Sequence, residues 1–495
     1  MTLQIPGQFN IADYFIERPA REYPERLAIL GEPAAMTYGE LAALVRRTSA
    51  ALLAGGCRPG DRVLIILPDS AEFIAAFFGA ARIGAIGVPV NSMTRAADYS
   101  YYLADCDARI AIVHASAMRE FLAAAEAHPP ELIIAVGERG VPMAVPGARN
   151  WHDWLAKAPA SAELLPTSAT ETAFFLYTSG SGGTPKAAVH QHKDMLVCAL
   201  SYAQGVLGIQ PFDITFSVSK LFFAYGLGNG MYFPFSVGAA TVLNPERPRP
   251  ERIAELLACH RPSIFFSVPT VYNLLLREAE RGLPVDFSSV RLAVSAGEAL
   301  PAEIFDQFRA RFGLKIVDGI GSTEMLQMFI SNRPGEARPG TCGKLVPNYD
   351  AFILDESGYP VPPGEIGNLW VRGQSAFAQY WNKPELTTAA KKGDRVSTGD
   401  KFYCDAEGFY HYCGRSDDMM KVSGMWVSPG EVENALLGHP LVAEAAVVGM
   451  RDAHGLVRPI AYLVLRAGTT PSPQVAREIL DDLRKRLLGY KCPQE

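Results

Sequence analysis

The sequence predicts an α/β protein: a large N-terminal domain of doubly wound α/β subdomains plus a β-rich subdomain, followed by a small, mobile C-terminal α/β domain. Three observations predict it. Strand-like and helix-like runs alternate from about residue 26, a second alternation runs from Ala173 to Val317, and from about Thr341 short apolar runs are punctuated by Gly and Pro.

In the first block, Leu27–Gly31 reads as a strand, Tyr38–Ala54 as a helix, 62–67 as a strand and 72–83 as a helix, with further strands at 110–113 and 133–136. Strands separated by helix-length segments imply a largely parallel sheet. In the second block, the strand-like runs are 174–177, 214–218, 241–243, 264–268 and 292–296. Gly358, Pro360, Pro362, Pro363, Gly364 and Gly367 then break the chain into short strands, which gives the β-rich subdomain. The polar stretch from Gly414 to Gly424 reads as a hinge, and apolar runs resume at 445–448 and 461–465. The predicted boundaries are therefore 1–416 and 417–495.

Composition narrows the function. With 46 Lys and Arg against 52 Asp and Glu, the net charge of −6 offers no basic surface, so nucleic acid is not an expected partner. The apolar run 73–90 is interrupted by Gly79, Gly84 and Gly87 and carries Arg82, which suits buried helix and strand better than a membrane span. Asp13 and Glu17 near the start do not fit a signal peptide, so the expectation is a cytoplasmic protein without a membrane partner. The eight cysteines are widely spaced and read as buried thiols rather than metal or redox sites.

The segment Tyr177-Thr178-Ser179-Gly180-Ser181-Gly182-Gly183-Thr184-Pro185-Lys186 follows an apolar strand. It combines free backbone N–H groups, the hydroxyls of Thr178, Ser179, Ser181 and Thr184, and the cation of Lys186, all suited to a polyphosphate. A Ser/Gly run alone is as well explained as a surface turn. Pro185-Lys186-Ala187 lacks the Gly-Lys-Ser/Thr order of a P-loop, which disfavours that class.

The segment closely resembles the phosphate-loop signature of the adenylate-forming superfamily of acyl-CoA synthetases, adenylation domains and luciferases. Four further stretches resemble its other signatures in order: 295–301 (SAGEALP), 318–324 (DGIGSTE), 397–400 (STGD) and 414–424 (GRSDDMMKVSG). The resemblance implies ATP, Mg²⁺ and CoA: a carboxylate attacks the ATP α-phosphorus, and CoA then displaces AMP from the acyl-adenylate.

By resemblance, Thr178, Ser179, Gly180, Ser181, Gly182, Thr184 and Lys186 hold the β- and γ-phosphates, and Glu324 places Mg²⁺. Thr323 donates to the α-phosphate, where charge develops. Ser295, Ala296, Gly297, Glu298 and Ala299, with Asp318 and Gly319, frame adenine. Asp400 accepts from the ribose hydroxyls with help from Arg415. Thr178, Lys186, Thr323, Glu324 and Arg415 form the implied catalytic set. Asp417 is the hinge position, and Ser423, Gly424 and Trp426 adjoin the CoA passage.

Residues 220–229 (KLFFAYGLGN) and Met325-Leu326 resemble the benzoate-CoA ligase group. The implied acid is an aromatic carboxylate, with Phe223 gating its pocket, Ala224, Tyr225, Gly319, Ile320 and Gly321 lining it, and Leu326 and Gln327 closing it. Gln327 departs from the His common in that group. Its amide can pair with an amino or hydroxyl substituent, so 2-aminobenzoate and hydroxybenzoates stand beside benzoate. His190 and His192 read as structural or pocket-lining, because a carboxylate ionised near neutral pH needs no general base.

One departure qualifies the resemblance. The family ends in Pro-Lys-Thr-x-x-Gly-Lys, whose last Lys enters the site during adenylation, whereas this sequence stops at Tyr490-Lys491-Cys492-Pro493-Gln494-Glu495. Neither Lys485 nor Lys491 fits that motif. The expectation is a ligase sequence lacking its last segment, since the nucleotide motifs are intact. Two other functions remain open: a stand-alone adenylating enzyme that loads a carrier protein, and a non-catalytic adenylate-binding protein. Either a monomer or a homodimer is compatible with the sequence.

Overall fold

In a strand, successive side chains face opposite sides, so an apolar strand without alternation needs cover on both faces. The computed structural model, described over residues 3–31, 35–138, 145–178, 184–416, 419–422, 425–451 and 457–493, supplies that cover. In the strand Arg62–Ile66, Val63 and Ile65 belong to one buried cluster and Leu64 and Ile66 to another. Phe265 and Phe266 of Ile264–Ser267 divide between two clusters in the same way. The expected doubly wound architecture is present.

The first sheet has seven strands in the order Ala148–Asn150, Leu132–Val136, Ile110–His114, Arg62–Ile66, Ile86–Pro89, Thr172–Thr178, Lys186–Gln191. All neighbours are parallel except the last pair, which is an antiparallel hairpin. The second has nine strands, running from Lys344–Leu345 through Met328–Ser331, Ile316–Gly321, Leu292–Ser295, Ile264–Ser267, Ile214–Ser217 and Ala240–Leu243 to Leu27–Gly31 and Met36–Thr37.

Two assignments differ from the sequence blocks. Leu27–Gly31 leaves the first block and pairs in parallel with Ala240–Leu243, while Thr172–Thr178, expected to open the second block, completes the first sheet beside Ile86–Pro89. Local periodicity identifies a strand but not its partner.

Helix boundaries have local causes. Thr37 and Glu40 form a reciprocal capping box for Tyr38–Ala54, and Ser70 caps Ala71–Arg82 through the Phe73 N–H at 3.2 Å. Glu17 joins these helices to the N-terminal segment: it accepts from Arg82 Nε at 3.0 Å and from Arg46 Nε at 3.0 Å.

The β-rich subdomain is an antiparallel sheet of Tyr349–Leu354, Gly367–Gly373, Arg395–Cys404, Lys391–Lys392 and Tyr410–Arg415. It begins slightly later than expected, because Lys344–Leu345 pairs with the second sheet. The C-terminal region has its own core, in which Val427, Val432, Leu436, Val442, Ile479 and Leu483 are buried between the pair Val442–Arg451/Val457–Leu465 and the helices Pro429–Leu437 and Pro473–Arg486. Among the described residues no helix is long and apolar enough to cross a membrane. The expectation of uniformly buried thiols needs correction: Cys259 is exposed and Cys404 half-buried.

Candidate active site

Thr178 and Lys186 face each other as the last and first residues of the hairpin Thr172–Thr178/Lys186–Gln191. The phosphate-loop segment is therefore the hairpin connection. Ser179, Gly180, Ser181, Gly182 and Gly183 lie outside the described residues; Thr184 is exposed. The helix Ala96–Cys106 holds both ends of the loop. The Tyr177 hydroxyl donates to Asp105 at 2.7 Å, and the Tyr101 hydroxyl donates to the carbonyl oxygen of Pro185 at 2.5 Å.

Thr323 and Glu324 occupy the short turn Thr323–Met325, begun by Ser322, whose hydroxyl accepts from the Met325 N–H. Each carbonyl of this turn is held from outside. His190 Nε2 donates to Thr323 O at 2.8 Å, the Phe377 N–H to Glu324 O at 2.7 Å, and the Ser375 hydroxyl to Met325 O at 2.9 Å. These bonds fix the backbone from which the two implied catalytic side chains project. Leu326 follows at φ +67°, a conformation that L-residues rarely adopt, and directs the chain into Met328–Ser331.

Lys186 and Glu324 stand 3.7 Å apart with the Tyr380 hydroxyl beside both, 2.7 Å from Lys186 Nζ and 2.5 Å from Glu324 Oε1. Burial and the Glu324 charge raise the Tyr380 pKa well above the ordinary phenol value, which keeps it protonated. Among the described residues no group of three or more His, Cys, Asp or Glu could cage a metal. The Glu324 carboxylate beside Lys186 fits Mg²⁺, which is usually held by one or two carboxylates and the substrate's phosphates.

On the implied adenine side, Ser295 and Asp318 are register partners in adjacent parallel strands. Burial raises the Asp318 carboxyl well above the ordinary carboxylate range. Ala296 is buried, whereas Gly297, Glu298 and Ala299 are exposed; Gly297 has φ +89°, and Glu298 accepts from the N–H and hydroxyl of Thr270 at 3.1 and 2.6 Å. At Gly319 a β-carbon would come within 2.8 Å of Ile330 O, so the strand pairing requires glycine.

The ribose candidates also meet. Asp400 and Arg415 are paired in register, and Arg415 Nη1 donates to Asp400 Oδ1 at 3.0 Å and to Thr398 O at 3.0 Å. Burial raises the Asp400 pKa despite the guanidinium. Gly399, at φ +74°, leaves room for Arg415, whose Nη2 would lie 2.8 Å from a β-carbon there.

Phe223 is half exposed at the start of the turn Ala224–Leu227. The Tyr225 hydroxyl donates toward Ser267 O at 3.2 Å, under the second sheet. Gln327 is buried and its Nε2 donates to the carbonyl oxygens of Ala224 and Tyr225, both at 3.1 Å, while its Oε1 has no partner among the described residues. Gly321 packs against Gln327, where a β-carbon would lie 2.7 Å from its backbone carbonyl; Ile320 is half-buried beside it. Of the acid-pocket candidates, Ala224, Tyr225 and Gly321 thus meet at Gln327.

Asp417, Ser423 and Gly424 lie outside the described residues, and Trp426 is placed only by its backbone in the strand Met425–Val427. Lys491 Nζ is bound to Glu431 at 2.6 Å. Both histidines are buried: His190 stacks on Phe174, and burial lowers the His192 pKa to about 4 while its Nδ1 accepts from the Ile11 N–H.

Sequence reasoning missed Tyr380, the His190–Asp194 pair, the Tyr101/Asp105 hold on the loop, and Gly228, where a β-carbon would lie 2.3 Å from Gln327 Nε2. Only Gly228 had a local signal, a glycine within the aromatic segment.

The chain matches the AMP-binding enzyme family over residues 16–381 and the AMP-binding enzyme C-terminal domain over 431–495. It is 40% identical to the benzoate–CoA ligase of Thauera aromatica, over 99% of this chain and 93% of that protein. Among solved structures it is similar to the anthranilate CoA ligase AuaEII in complex with anthranoyl-AMP, with a TM-score of 0.93, 37% identity, and 99% and 93% of the two chains covered. It is also similar to a benzoate CoA ligase from Burkholderia xenovorans LB400, with a TM-score of 0.90, 39% identity and 98% and 95% coverage.

Proposed function

The chain belongs to the AMP-binding enzyme family, and on that premise we propose that it is an AMP-forming acid:CoA ligase that activates benzoate or a ring-substituted benzoate. The observation that carries the reading is the meeting of Lys186, at the end of the hairpin, with Glu324, 3.7 Å apart.

Lys186 and the loop hydroxyls hold the β- and γ-phosphates, and Asp400 accepts from the ribose hydroxyls. Thr323, its backbone fixed by His190, donates to the α-phosphate as charge grows there. Bound through Glu324 and the phosphates, Mg²⁺ would offset charge on the departing pyrophosphate. The acid's carboxylate is already ionised near neutral pH and acts as the nucleophile. In the second step CoA approaches past Ser423, Gly424 and Trp426 as the region beyond Asp417 rotates.

Gln327 Oε1, without a partner among the described residues, favours an acid with a hydrogen-bond donor on its ring, such as an amino or hydroxyl group. The acid class is tested by exchange of labelled pyrophosphate into ATP with benzoate, 2-aminobenzoate, hydroxybenzoates and a medium-chain fatty acid. Exchange should require an aromatic acid; equal exchange with the fatty acid would overturn this reading.

A further inference from the structure

Residues 377–381 connect the two halves of the phosphate site. Their main chain runs along the strand Lys186–Gln191, with the Ala378 N–H donating to Val189 O at 2.8 Å, the Val189 N–H to Gln379 O at 2.9 Å and the Trp381 N–H to Ala187 O at 2.9 Å. At the other end, the Phe377 N–H holds the Glu324 carbonyl at 2.7 Å. The only side chain of this segment between Lys186 and Glu324 is Tyr380, which is 3% exposed.

Both functions of its hydroxyl are in use. It accepts from Lys186 Nζ at 2.7 Å and donates to Glu324 Oε1 at 2.5 Å, while the ammonium also sits 4.2 Å from the ring centroid. A lysine and a glutamate on separate elements otherwise sample many rotamers, and a direct hydrogen bond between them, which the 3.7 Å separation avoids, would occupy groups that must meet substrate. The hydroxyl engages one carboxylate oxygen and one ammonium proton and leaves the remaining donors and acceptors for a polyphosphate and its cation.

We infer that Tyr380 is a positioning residue for adenylation, its hydroxyl setting the spacing of Lys186 and Glu324 for a nucleoside triphosphate and its divalent cation. The inference rests on the proposed function. It predicts that removing the hydroxyl harms the ATP-dependent half-reaction and spares the capture of adenylate by CoA.

The test compares the full chain with Tyr380→Phe, which keeps the ring. ATP binding is measured by calorimetry with Mg²⁺ and with chelator, and capture of supplied benzoyl-adenylate by CoA is followed separately. The expected result is about tenfold weaker MgATP binding, the size of a lost charged hydrogen bond, with a smaller change in chelator and unchanged CoA capture. In a Glu324→Gln background the same change should cost much less, because the hydroxyl has lost its charged partner.

Unchanged MgATP affinity, fully additive effects in the double variant, or equal loss of ATP binding and CoA capture would overturn the inference, the last marking Tyr380 as structural. Calorimetric ATP binding does not depend on which acid is turned over. A failure of the acid assignment therefore appears in pyrophosphate exchange by the parent chain and is separable from a failure here.

Discussion

His190 donates from Nε2 to the carbonyl oxygen of Thr323 at 2.8 Å, and its Nδ1 lies 2.9 Å from the Asp194 carboxylate. A fully buried imidazole on the hairpin of one sheet thereby fixes a turn that follows a strand of the other. Replacing it with Ala should slow adenylation by about tenfold through loss of one buried hydrogen bond to the turn. Rapid-quench measurement of adenylate formation reads this, while thioester formation from supplied adenylate should keep its rate.

Asp400 is held by Arg415 and buried in the strand Arg395–Cys404, which is paired on both sides; in the proposed function it accepts from both ribose hydroxyls. Asp400→Asn should weaken ATP binding by roughly tenfold. It should also reduce the preference for ATP over its 2′-deoxy analogue. Competition binding of the two nucleotides measures the ratio; a preference that survives intact would place the ribose elsewhere.

Gln327 spends its amide N–H groups on Ala224 and Tyr225 and retains an acceptor oxygen. Gln327→Leu should lower kcat/KM for a ring-amino or ring-hydroxyl acid by about tenfold and leave benzoate within a few-fold, since only the substituted acid loses a partner. Steady-state comparison of the acids decides it. Equal losses for all acids would mean that Gln327 acts only by holding the Ala224–Leu227 turn.

The parts legible in the sequence were those encoded locally. Tyr38–Ala54 has a helical apolar period, and the structure ends the helix at the predicted residues. The resemblance that names candidate phosphate, adenine and ribose segments was readable because each rests on a continuous string. Tyr380 was not: it lies 194 residues from Lys186 and 56 from Glu324 in the chain, and nothing near it indicates that residues 377–381 run along the hairpin. The transfer of Leu27–Gly31 to the second sheet escaped for the same reason, since its partner Ala240–Leu243 is far along the chain.

Glu17 ties the N-terminal segment to Arg46 and Arg82. Burial alone would raise its pKa, but the hydrogen bonds and charges of the two arginines outweigh burial and lower it below 4.5. A depressed carboxylate contributes stability that is present above the unfolded-state value and is lost as pH falls through the folded one. Glu17→Gln should therefore destabilise the chain by about 3 kcal/mol at neutral pH, because Arg82 is left buried without its counter-ion. The difference from the parent should shrink as pH falls below 4.5. Chemical denaturation across pH checks both statements.

The most direct test of the ligase assignment is incubation of the protein with MgATP, CoA and benzoate, 2-aminobenzoate or a hydroxybenzoate, with products identified by mass. The account predicts an aryl-CoA thioester with AMP released in step, both dependent on free CoA. AMP or adenylate formed with no thioester, even when the aryl-adenylate is supplied ready-made with CoA, would contradict it.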